Sequence, residues 1–173
     1  HKKLFERVQI LINNAGLARG LSLIQDGDIQ DWDTMINTNI KGLLYVTRNV
    51  LPFLIAQGSG HIINIGSVAG HWVYPRGNIY CATKHAVRAL NEALRVDLHG
   101  TGIKVSSIDP GMVETEFSEV RLGSSDKAKA VYQGMTPLTA SDIADTVFWV
   151  ASRPSRVNIQ EVVLFPTDQS SVT

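Results

Sequence analysis

The stretch "GHIINIGSVAG", residues 60 to 70, opens on glycine, runs through isoleucines and closes in small and polar residues. A short apolar run bounded by turn formers is the pattern of a buried strand. Here it predicts a strand over "GHIINIGS" (60 to 67), and the same pattern recurs in "VQILINN" (8 to 14), "IKVSSIDP" (103 to 110) and "EVVLFPT" (161 to 167). Between these runs the apolar residues change period. Ile29, Trp32, Ile36, Ile40, Leu43, Leu44, Val46, Val50 and Leu54 recur at spacings of three and four, which predicts a helix over 29 to 57 with Gly58 as its stop. A second helix is expected over 79 to 98, ended by the turn at 100 to 102. A third follows "TASD", where Thr139 and Asp142 have capping-box spacing, and ends before Pro154. Strands alternating with helices imply parallel strands joined by right-handed crossovers. The expected fold is therefore α/β, a doubly wound parallel sheet forming a single domain over residues 1 to 173.

Composition narrows the function classes. The 16 basic and 16 acidic residues cancel and form no block of like charge, which argues against nucleic acid and against an anionic membrane surface as partners. The longest apolar runs fall short of the roughly 20 residues of a membrane span. One cysteine, Cys81, cannot close an internal disulfide, which fits a reducing, cytoplasmic setting. His61, His71, His85 and His99 lack metal-ligand spacing, so no metal is expected, and Trp32, Trp72 and Trp149 read as packing residues. The expected partners are small molecules or other protein subunits.

In doubly wound folds ligands bind beyond the carboxyl ends of the strands. Here those ends read "NNAG" (13 to 16), "GSVAG" (66 to 70) and "DPGMVETEF" (109 to 117). Small residues admit a flat ligand close to the backbone, and Asn and Ser can orient it. Just after the second strand, "NIYCATKHA" (78 to 86) sets Tyr80 and Lys84 one helical turn apart. Residues so spaced have Cβ atoms only about 5 to 6 Å apart. The pair is either an ordinary surface contact or a phenol tuned by a cation.

"NNAG", "NTNIKG", "NIGS", "YCATK" and "PG" followed by "VETEF" occur in this order, and with them the chain resembles the short-chain dehydrogenase/reductase superfamily, of Rossmann type. "GNIYCATKHAV", "DPGMVETEFSEVR" and "LFPTDQ" look like the branch of NADP-dependent 3-hydroxy acid dehydrogenases, which also oxidise serine and allo-threonine. The resemblance covers essentially the whole chain. It implies a hydride-transferring oxidoreductase with Asn39, Ser67, Tyr80 and Lys84 as the catalytic set. Tyr80 would be the general acid/base, its phenol, ordinarily near pKa 10, lowered by Lys84. Ser67 would donate a hydrogen bond to the substrate oxygen, and Lys84 would also hold the cofactor ribose. Asn39 would sit where the long helix bends and hold a relay water by its side chain or backbone.

The same resemblance implies NADP as cofactor, with NAD not excluded. Asn14, Ala15 and Gly16 would line its adenine side, and Pro110, Gly111, Val113 and Thr115 would flank the nicotinamide, beside Tyr80 and Lys84. Arg121, in "FSEVRLG", follows the covering loop, and its guanidinium suits capture of a substrate carboxylate. A homotetramer built on the two long helices is a further expectation. The family's Gly-rich TGxxxGxG turn is not formed by any of the 14 glycines, so the chain is expected to be the carboxyl two-thirds of a subunit. Two alternatives stand beside the 3-hydroxy acid reading: a catalytically incompetent fragment or scaffold homologue, and a carbonyl reductase of another substrate class.

Overall fold

A computed structural model describes residues 5 to 172. Its central sheet has four parallel strands in the order β1 (Ile10–Asn13), β2 (Gly60–Ile65), β3 (Ile103–Pro110), β6 (Glu161–Leu164). The α/β reading and all four strand segments hold, with β1, β2 and β6 shorter than expected. Ile62 and Ile63 on β2 point to opposite faces and are both fully buried, so both faces of the sheet are packed there. On one face Ile62 and Val105 meet Val50 and Leu54 of α2 (Leu43–Gln57) and Leu98 at the end of α3 (Asn78–Asp97). On the other, Ile63 and Ile108 meet Val150 of α6 (Ala140–Ala151). The Thr139–Asp142 capping box that starts α6 is formed in both directions.

The second face is covered unevenly. Ile10 and Ile12 pair in register with His61 and Ile63 but lie outside the reach of α6, and stand 44% and 47% exposed. β1 is thus an apolar edge strand open to a further element.

The expected helix over 29 to 57 is two helices. α1 (Ile29–Ile36) and α2 are joined by a turn of π-helix, Asn37–Gly42, and the extra residue rotates all that follows. The apolar stripe does not stay on one face: Leu43, Val50 and Leu54 are buried, whereas Ile29, before the turn, is 67% exposed, and Leu44 and Val46, beside the buried positions of α2, are also exposed. The π-turn sends Asn39 inward, 2% exposed. Of the tryptophans only Trp32 packs against a core cluster. Trp72 faces Phe165 with half its surface open, and Trp149 lies on the surface under Arg153.

Between β3 and α6 the chain forms elements with no clear pattern in the sequence. β4 (Val113–Glu114) pairs in parallel with β5 (Leu138–Thr139), and between them lie α4 (Phe117–Leu122) and α5 (Ser125–Val131). The Tyr132 hydroxyl joins this insertion to itself, donating to Val113 O and bonding Ser118 Oγ.

Candidate active site

The carboxyl ends of β1, β2 and β3 open into one cavity of about 1540 Å³, which runs on over the uncovered sheet face at Ile10 and Ile12. Its walls include Asn14 and Gly16, Ser67, Tyr80 and Lys84, Pro110, Gly111, Val113 and Thr115, and Arg121. Residues from strand ends, from α3 and from the insertion thus meet at one site. Ala15 is exposed beside it without lining the cavity, and Asn39 lies behind the wall.

Tyr80 and Lys84 occupy the first two turns of α3. They are 9% and 7% exposed, so the pair is buried and not a surface contact. The Lys84 ammonium lies 5.9 Å from the Tyr80 ring centre and donates to Ile65 O at 2.9 Å. Burial pulls its pKa down to about 8, opposed by the charge of Asp109. Contrary to the expected lowering by Lys84, burial pushes the Tyr80 phenol well above its ordinary value, because the anion loses its water. A hydrogen bond from Ser67 and the charge of Arg121 pull it back. Gly70 lets the 68 to 70 turn lie flat on α3, since a Cβ there would come within 2.8 Å of Lys84 O. That contact fixes the Ser67 turn against the helix carrying Tyr80. Ser67 Oγ itself caps the turn by accepting from Ala69 N.

Asn39 is held by its side chain. Its Oδ1 accepts from Leu17 N (2.9 Å), and its Nδ2 donates to Leu17 O (2.8 Å) and to Thr83 Oγ1 (3.0 Å). Of the two ways to hold a relay water, the side chain is therefore already committed. Its work is to clamp the loop after β1, where a Cβ on Gly16 would lie 3.5 Å from Lys84 Nζ.

Several residues enter that spacing could not find. Asn13 donates to Thr47 and Asn64, Asn64 to Asn91, and Asn91 to Gln160 O, a polar chain beneath the site from β1 to the start of β6. The Gln169 side chain accepts from Met112 N at 2.8 Å and holds the loop after β3. Tyr74 bonds Arg121 through its hydroxyl. His71, distant in sequence from both of its partners, meets Asp109 at 2.6 Å and Glu161 at 3.6 Å, with Glu161 also paired to Arg88. No local signal announces that cluster, because its members come from three separate elements.

The residues present suit a flat dinucleotide: small strand ends, a glycine at the Lys84 ammonium, and a buried cation that none of the ion pairs among the described residues uses. A family profile described as short chain dehydrogenase matches residues 1–123. The chain is 51% identical over 165 residues to the NADP-dependent 3-hydroxy acid dehydrogenase YdfG of Salmonella typhi, covering 94% of this chain and 66% of that protein. It is 48% identical over 167 residues to serine 3-dehydrogenase of Agrobacterium fabrum, covering 96% of this chain and 67% of the relative. Among solved structures, the closed form of serine dehydrogenase complexed with NADP+ superposes with a TM-score of 0.94 at 45% identity, over 99% of this chain and 73% of that one. The chain spans about two thirds of the length of the curated relatives it matches.

Proposed function

The chain belongs to the short-chain dehydrogenase family, and we propose that it serves NADP-dependent oxidation of small 3-hydroxy acids or hydroxy amino acids and the reverse reduction. The observation that carries this is the meeting of Ser67, Tyr80 and Lys84 on one wall of a single cavity, with the phenol and the ammonium buried. Bound NADP supplies the hydride acceptor or donor. Asn14, Ala15, Gly16, Pro110, Gly111, Val113 and Thr115, with Tyr80 and Lys84, are the residues proposed to hold it.

Tyr80 takes the hydroxyl proton in oxidation and returns it in reduction. Ser67 donates to the substrate oxygen as charge develops there. Lys84, one turn from Tyr80, favours the phenolate below about pH 8, where it keeps its proton. Asn39 holds the loop carrying Gly16 against this pair. Arg121 supports an acidic substrate: it lines the same cavity as Ser67 and Tyr80, is half-buried, and enters none of the ion pairs among the described residues. Subunits are proposed to associate into tetramers through α2 and α3, which expose Leu44, Tyr45, Val46 and Val96. No helix among the described residues is long and apolar enough to cross a membrane. The proposed setting is the cytoplasm, where the buried Cys81 thiol stays reduced.

Tyr80→Phe keeps the ring and its packing on Phe117 but removes the proton carrier. kcat/KM is expected to fall about 10²–10⁴-fold, while NADPH binding by fluorescence titration persists. Retained turnover refutes the assignment. A panel of 3-hydroxy acids, serine and neutral secondary alcohols tests the substrate class, and equal loss on acids and alcohols in Arg121→Ala rejects carboxylate capture.

A further inference from the structure

A second cation lies against the phenol. α4 carries Phe117 and Arg121 four residues apart, and both side chains rest on Tyr80. The two aromatic rings are 5.5 Å apart, and the guanidinium carbon lies 5.5 Å from the Tyr80 ring centre, a little nearer than the Lys84 ammonium. The guanidinium is fixed there. Nε donates to Gly20 O at 3.2 Å and Nη1 to the Tyr74 hydroxyl at 2.7 Å, with the Tyr74 ring also 5.5 Å away. The backbone of α4 is tied to the same loop, Gly20 N donating to Arg121 O and Arg19 Nη1 to Val120 O.

The groups facing Tyr80 can be named element by element. α3 presents Lys84 and Cys81, the segment before it Tyr74, the turn after β2 Ser67, and α4 Arg121. The remaining neighbours, Ala18, Met35, Ala69 and Phe117 among them, are apolar. Asp109 acts on Lys84 from the far side. A buried phenol in such surroundings resists ionisation, and one lysine that itself titrates near pH 8 is a weak remedy above that pH. Arginine keeps its charge throughout this range.

We propose that Arg121 is a positioning residue for the acid/base Tyr80: the seating of α4 lays a permanent cation over the phenol ring and favours the phenolate. This rests on the reading of Tyr80 as the proton carrier. It also goes beyond carboxylate capture, since it applies to substrates with no carboxylate.

The test uses a neutral secondary alcohol, so that loss of carboxylate binding cannot enter. The pH profile of kcat/KM is measured for the parent, Arg121→Gln and Arg121→Lys. In parallel, the Tyr80 ring-carbon resonance is followed against pH in ¹³C-tyrosine-labelled protein with NADP+ added, assigned by its absence in Tyr80→Phe. A unit charge 5.5 Å from the Tyr80 ring centre, acting through an effective dielectric of about 20, is enough to move the phenol by about one pH unit, even after loss to solvent. Arg121→Gln is therefore expected to shift the limb and the resonance upward by about one unit, a roughly tenfold loss on the acid side. Arg121→Lys restores most of it. Tyr74→Phe, which loses only the hydroxyl fixing Nη1, is expected to shift both readouts less and with the same sign, and it carries the test if Arg121→Gln does not fold. An inactive Tyr80→Phe together with an unmoved limb and resonance in the Arg121 and Tyr74 variants overturns the proposal and leaves the Tyr80 reading standing. An active Tyr80→Phe removes the reading itself.

Discussion

Replacing Asn39 separates a clamp from a proton relay. The side chain is 2% exposed and makes three hydrogen bonds, two to the backbone of Leu17 and one to Thr83 Oγ1. Asn39→Ala strips the N–H and the carbonyl of Leu17 of their partners. Thr83 is spared, because its hydroxyl still donates to Tyr80 O at 2.8 Å. A buried polar group left without a partner costs about 1–3 kcal/mol. Leu17 is only half-buried, and water recovers part of that cost. The expected loss is about 2–4 kcal/mol, or roughly 5–15 °C in Tm for a chain of this size.

Asn39→Asp discriminates further. It keeps the acceptor for Leu17 N–H but turns a carboxylate oxygen towards the Leu17 carbonyl, where a donor is needed. Protonation restores that donor, so the Asp penalty shrinks as pH falls, whereas the Ala penalty stays nearly constant. Urea unfolding of both variants between neutral and mildly acid pH measures this. Cofactor affinity should weaken in both, because the clamped loop sets Gly16 beside Lys84. A loss under about 0.5 kcal/mol with no pH dependence in Asn39→Asp, together with turnover abolished at unchanged cofactor affinity, refutes the clamp.

Gly66→Ala tests how closely the strand ends are packed. A Cβ there would overlap the Asp109 carboxylate, which also binds Ser107 and His71, so the variant is expected to lose both stability and turnover, read by thermal melting and initial rates. His61 predicts an acid sensitivity away from the site. Its ring is 3% exposed and bonds Ser106 Oγ, and burial, aided by Lys104, pulls its pKa down to about 4. Since the folded value lies below the unfolded one, the stabilisation is complete above about pH 6.5 and is lost as pH falls towards 4. That loss amounts to about 3 kcal/mol at 1.36 kcal/mol per unit. Urea unfolding at pH 7 and pH 4.5 should show a smaller drop in His61→Gln than in the parent. Equal drops reject the linkage.

The strands were legible because each leaves a local mark, a continuous apolar run ended by Gly, Pro or Asn, whether both faces are packed, as in β2, or one stays open, as in β1. α3 and α6 were legible for a related reason: each has one periodic stripe and clear end signals. The long helix was legible in extent and not in phase. One extra residue in the π-turn rotates every following position by about 100° relative to α1, so a single stripe read through 29 to 57 cannot keep its phase across the turn: Ile29 stands 67% exposed while Leu43, Val50 and Leu54 are buried. That same insertion buries Asn39, and no hydrophobic period reports it.

The site divides along the same line. Tyr80 and Lys84 are fixed by one helical turn, and Ser67 by the end of a strand, so local spacing suffices to bring them to the cavity wall. What surrounds them is set by long-range closure, and spacing cannot rank it. Arg121 and Tyr74 are 47 residues apart, and Arg121 and Gly20 are 101 apart, yet these contacts place the guanidinium over the phenol. α4 has only six residues and too little apolar pattern to be read as a helix, but its placement decides how much positive charge Tyr80 feels. The proposed proton carrier thus belongs to the rigid sheet-and-helix frame, while part of the field proposed to tune it belongs to a short insertion held by Gly20 and Tyr74. In such an arrangement, loosening α4 would make the phenolate harder to form before it disturbs the fold. Substitutions at Tyr74 should accordingly alter the pH profile at nearly unchanged Tm, the opposite of what Asn39 substitutions should do.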